Sequence, residues 1–112
     1  MSARAETRLW LLQRTSAAAL AVCVAVHLAT IIGAVRSGLS AAAILGRTNG
    51  SLGWAAFYAA FVLAVSIHAP IGLRGIAAEW LGWRGRAADA VFALIGIALL
   101  ALGAYAIAAV TR

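Results

Sequence analysis

Charged side chains divide the sequence into three long apolar runs. Between Arg14 and Arg36 lie 21 residues without a charge, between Arg47 and Arg74 lie 26, and between Asp89 and Arg112 lie 22. A helix needs about 20 mostly apolar residues to cross the hydrocarbon core of a bilayer. Each run meets that length, so the pattern predicts an all-α membrane protein with three transmembrane helices, at about 10–35, 52–78 and 88–110. Turn residues separate them. Arg36-Ser37-Gly38 leaves the first span, and Arg47-Thr48-Asn49-Gly50-Ser51 leads through a loop into the second. The first run follows a basic leader, as a signal peptide would. It is too long for the apolar stretch of a signal peptide and has no clean cleavage site, so it is read as a retained helix.

Composition supports this reading. Of the 112 residues, 65% are hydrophobic and 11% charged, against about a quarter charged in an ordinary soluble domain. Disorder needs the opposite balance. The net charge of +6 does not point to nucleic acid, because no basic cluster is interleaved with polar surface. It is a topology signal instead. Arg4, Arg8, Arg14, Arg74, Arg84 and Arg86 belong to one side, and Arg36, Arg47 and Arg112 to the other. The positive-inside rule then places the N-terminus and the second loop on the cytoplasmic side of the inner membrane. Trp10, Trp54, Trp80 and Trp83 fall near the expected interfaces, where indoles favour the headgroup layer. The single cysteine, Cys23, excludes an internal disulfide and a cysteine-based zinc site.

Small residues suggest which faces pack. Ala17, Ala21, Ala25, Ala29 and Gly33 recur every four residues along the first span, and Gly96 and Gly103 share one face of the third. Such positions let helix backbones approach closely. The Gly46/Gly50 pair falls in a loop and is not read as a packing motif.

His27 and His68 are the only ionisable residues deep within the spans. Polar groups at such depth are costly and face the interior of a bundle. A membrane histidine can simply hydrogen-bond a neighbouring backbone. Two histidines with no carboxylate beside them favour metal or haem ligation over a proton relay. Helical periodicity groups His27 with Ser16, Leu20, Cys23 and Ile31, nearly opposite the alanine ladder. It groups His68 with Phe57, Phe61, Ala64, Gly72 and Gly75, so the glycines leave room for the edge of a macrocycle. Pro70 removes the hydrogen bond to the Ser66 carbonyl and is expected to kink the second span close to His68.

The histidines differ in depth. His27 lies 13 residues past Arg14, about 20 Å down the helix, and His68 six residues before Arg74, about 9 Å down. Two axial ligands of one upright haem need nearly equal depth, so one chain does not supply both. A two-fold axis along the membrane normal would set each histidine opposite its own copy. A related second anchor chain would serve equally. The spans are therefore expected to form part of a larger helical bundle.

At these residues the sequence resembles a known family. Ser66-Ile67-His68-Ala69-Pro70-Ile71-Gly72-Leu73-Arg74 is similar to the H-x-x-x-G-x-R segment of the cytochrome b membrane anchors of succinate dehydrogenase and fumarate reductase. Leu12-Gln13-Arg14-Thr15-Ser16-Ala17 is similar to the family's L-x-R-x-[ST]-[GA] segment, and Glu79 stands where an acidic residue often follows. The resemblance implies that His68 is an axial ligand of haem b and that His27 matches the first-helix ligand of dihaem members. Arg74 would then lie near the haem propionates, and Arg14, with Ser16, near a quinone or a propionate. One or two haems would be shared between chains. Implied partners are an iron–sulfur subunit, a flavoprotein subunit, a second anchor chain, a membrane quinone and lipid. The sequence departs from the pattern in two places. Gly75 follows Arg74 where many single-haem members carry histidine, and Trp10 stands where a quinone-associated serine is common.

No flavin motif or iron–sulfur cysteine set is present, so the expected role is electron transfer without a catalytic centre. Two other readings remain. One is a small membrane transporter, for which the spans lack a carboxylate. The other is a structural anchor without haem.

Overall fold

The computed structural model describes residues 2–112. Four helices follow in order: α1 (Ala3–Arg36), α2 (Ala41–Thr48), α3 (Leu52–Leu81) and α4 (Arg86–Thr111). Three of them, α1, α3 and α4, are long and apolar enough to cross a membrane. They lie antiparallel in a rod 49 Å long. Glu6, Arg74 and Asp89 meet at one end, which also carries most of the arginines and is called the Arg-rich end below. At the far end, α2 meets the last turn of α4.

The helix boundaries follow from local chemistry. The first helix begins seven residues earlier than the apolar run suggests, because Ser2 caps it by accepting from the Ala5 N–H and Glu6 sits in its first turn. Ser51 caps α3 in the same way through the Trp54 N–H. The second span runs on past residue 78 to Leu81. It stops at Gly82, whose φ of +64° is open to glycine without strain, while the Trp83 N–H closes back on the Ala77 carbonyl at 3.1 Å.

The segment expected to be a loop between the first two spans contains a helix. Ser40 caps α2 through the Ala43 N–H, and Gly46 lies inside this helix. The apolar Ala41–Leu45 stretch is too short to cross a bilayer, so the span criterion passed over it. Its end satisfies carbonyls that α4 would otherwise leave open. Thr48 Oγ1 donates to the Val110 carbonyl at 2.6 Å, and the Gly50 N–H donates to Thr111 at 2.8 Å.

The middle helix is α3, with α1 packed along one side and α4 along the other. The glycines of α4 set the second contact, as their spacing predicts. A Cβ on Gly96 would stand 3.0 Å from both Pro70 Cγ and the Ser66 carbonyl, and one on Gly103 would overlap the Val62 side chain. The Ser66 carbonyl that Pro70 leaves without a helical donor therefore faces the backbone of α4. Helix α3 is continuous through Pro70. At the Arg-rich end Ala77, Ala88 and Phe92 form the best-buried apolar cluster, with Trp83 tilted over Phe92.

Among the described residues no large side chain is fully buried, and Val22, Leu28, Leu63, Ile97 and Leu102 are exposed. The expected ladder behaves accordingly. Ala17 is half-buried, while Ala21, Ala25, Ala29 and Gly33 face outward from α1. Trp10 and Trp80 are exposed near the Arg-rich end, and Trp54 stacks on Tyr58 near the far end.

Candidate functional site

The face of α1 that meets α3 is one stripe. Leu9, Gln13, Ser16, Leu20, Cys23, His27, Thr30 and Ala34 recur every three or four residues, and all are buried or half-buried. Ser16, Leu20 and Cys23 share the His27 face as periodicity predicts. Ile31 does not: it stands at the edge of the stripe and is exposed, and Thr30 takes the inward position.

His68 sits opposite Ser16. Its Nδ1 lies 3.4 Å from Ser16 Oγ, and Ser16 is buried. The same hydroxyl donates to the Gln13 carbonyl at 3.1 Å. Ser16 provides the only hydrogen-bonding partner of the His68 ring among the described residues. One turn along α3, the room expected at Gly72 is taken: a Cβ there would come within 3.1 Å of Gln13 Nε2. Gly72 thus serves close approach of α1 to α3. Gly75 is open, with nothing within 4 Å of a Cβ, and it borders a cavity of about 410 Å³ at the Arg-rich end.

His27 lies at another level. Its ring stands edge-on to Tyr58 and Phe61, with centroids 5.9 and 5.5 Å away. Its Nδ1 is buried without a hydrogen-bond partner. It borders an apolar cavity of about 390 Å³ whose walls include Phe61, Val65, Gly103 and Ile107. Along α3, the Tyr58–Phe61 level is seven to ten residues from His68, or about 10–15 Å at the helical rise. The depth offset expected from counting residues is thus present in the packing.

The two arginines lie apart from the histidines' contacts. Arg74 Nε meets Asp89 Oδ1 at 2.7 Å, and its Nη2 approaches Glu6 Oε1 at 3.7 Å. One guanidinium thereby ties the ends of α1, α3 and α4. Neither carboxylate stood out as its partner in the sequence, since they lie far from Arg74 along the chain. Arg14 is exposed and rests over the Trp10 ring at 5.4 Å. It precedes Ser16 by two residues, about 200° of helical turn, and is not brought to His68.

Each neutral imidazole can give one lone pair to a metal, so each level offers a single axial bond from this chain. No cluster of three or more His, Cys, Asp or Glu side chains able to hold a metal ion occurs among the described residues. The donor set fits a haem whose second ligand comes from another chain. The apolar cavity that His27 borders fits an apolar group held at that level.

The sequence profile of the succinate dehydrogenase/fumarate reductase transmembrane subunit family matches residues 1–108. No curated protein and no solved structure matches the chain.

Proposed function

The chain belongs to the family of succinate dehydrogenase/fumarate reductase transmembrane subunits, and from this premise we propose that it is a haem b-bearing anchor that passes electrons between an iron–sulfur subunit and a membrane quinone. It is a multi-pass membrane protein, and family membership replaces the transporter reading. The observation that carries the haem assignment is the pair of histidines at separate levels of the α1–α3 interface, each able to supply one axial bond.

His68 would hold a haem nearer the Arg-rich end, and His27 a second, more distant one. The other ligand of each would come from a second anchor chain, a copy or a relative. The exposed apolar faces of all three spans support such a bundle, because no large side chain among the described residues is fully buried within the one chain. Bound haem would supply one-electron redox chemistry, with its potential set by bis-imidazole ligation and burial. The protein holds and orients the rings. Arg74 lies within the cytoplasmic interface on this reading and holds the three helix ends where the iron–sulfur and flavoprotein subunits dock. Arg14 and Ser16 remain the candidates nearest a quinone or propionate by sequence pattern.

A reduced-minus-oxidised spectrum of the membrane complex tests the reading. A low-spin b-type signal is expected, with one component lost in His68→Ala and another in His27→Ala. Loss in His68→Ala alone would leave a single haem. Absence of any haem signal would make the chain a haem-free structural anchor.

A further inference from the structure

Ser16 has two contacts and one proton, and that count bears on the chemistry of His68. The hydroxyl lies 3.1 Å from the Gln13 carbonyl and 3.4 Å from His68 Nδ1. A carbonyl oxygen can only accept, so Gln13 offers a place for the Ser16 proton. The Ser16 oxygen then has only lone pairs to offer the imidazole. With Nε2 committed to iron, as the proposed axial role requires, Nδ1 carries the ring hydrogen and donates it to that oxygen. We infer that Ser16 is the positioning residue of His68: it fixes the ring's orientation and holds it in the Nδ1–H tautomer with Nε2 ready to bind iron. The inference rests on the proposed role of His68 as an axial ligand.

The surroundings make the contact specific. Ser16 is 6% exposed, so water does not compete freely for its oxygen. The Gln13 side chain fills the space beside Gly72 and closes the interface one turn away. A ring nitrogen donating to a neutral oxygen makes the opposite nitrogen a better electron donor, as partners behind metal-bound histidines do generally. That raises the stability of the oxidised iron relative to the reduced iron and lowers the potential of the haem. His27 has no such partner, since its Nδ1 is buried and unpaired. The two histidines are therefore prepared differently by this chain, and only the His68 haem is tuned by Ser16.

The test is a redox titration of the haem absorbance in the assembled membrane complex, comparing the parent protein with Ser16→Ala, Ser16→Thr and His68→Ala. Ser16→Ala should keep the His68-dependent component but move its midpoint potential upward, leaving the His27-dependent component in place. Ser16→Thr restores the hydroxyl and should return the potential to the parent value. A His68-dependent component that titrates at the parent potential in Ser16→Ala overturns the inference, as does a shift that Ser16→Thr fails to reverse. The His68→Ala sample reads the underlying assignment separately. If the haem signal survives there intact, His68 is not a ligand and the role of Ser16 falls with it.

Discussion

Arg74 and Asp89 meet at 2.7 Å across the ends of α3 and α4, and the same guanidinium reaches Glu6 of α1 at 3.7 Å. Three helix ends are joined by one side chain. The group is partly open to solvent, with 26% of the Arg74 side chain and 42% of that of Asp89 exposed. Its strength is accordingly modest. Asp89→Asn should destabilise the protein by no more than about 1 kcal/mol, and Glu6→Gln by less. Melting in detergent at low and high salt checks this. The deficit of Asp89→Asn should shrink as salt rises, because exposed charges are screened.

The α3–α4 contact responds to volume instead. A Cβ at Gly103 has no room beside Val62, so Gly103→Ala should cost about 1–3 kcal/mol through overpacking. Trimming the opposing side chain should relieve it, so Gly103→Ala combined with Val62→Ala is expected to melt above Gly103→Ala alone. Gly33→Ala meets nothing within 4 Å and should not destabilise. Equal losses at Gly33 and Gly103 would contradict this packing.

At the far end, Thr48→Val keeps the shape of the side chain and removes the hydroxyl that donates to Val110. The expected cost is about 0.5–1.5 kcal/mol, the net worth of one hydrogen bond. Limited proteolysis checks the consequence, since cleavage after Arg47 should accelerate once α2 is no longer held to α4. Unchanged cleavage would mean that the hydroxyl contributes nothing to docking.

Orientation can be read by labelling. In a Cys23→Ser background, Ser37→Cys should react with a membrane-impermeant thiol reagent from the periplasmic side and Ala87→Cys only after the cytoplasmic side is opened. This follows from the six arginines gathered at the end that holds the second loop. The reverse pattern would invert the assigned topology.

Much of this architecture is legible from where charges stop. Uncharged runs between Arg14 and Arg36, Arg47 and Arg74, and Asp89 and Arg112 locate the three long helices, and a 3.6-residue period places Ser16, Leu20, Cys23 and His27 on one face. The misses have physical causes. Residues 3–9 are polar enough to lie outside an apolar run yet extend α1, because helix formation needs only a cap and suitable residues. The short α2 fails a test of membrane-crossing length, although Ser40 ahead of an alanine run is a visible start signal. Partners distant in sequence are hidden altogether. Nothing near Gly72 announces that Gln13 will fill its space, and nothing near Arg74 announces Asp89 and Glu6.

The clasp between α2 and α4 also has a consequence for biogenesis. Thr48 and the carbonyl it serves, Val110, are 62 positions apart in the chain. Synthesis delivers the donor long before the acceptor. Until Val110 has been made, the Thr48 hydroxyl has no partner in α4. The contact between α2 and α4 can thus close only after the third span has been translated to its last turn.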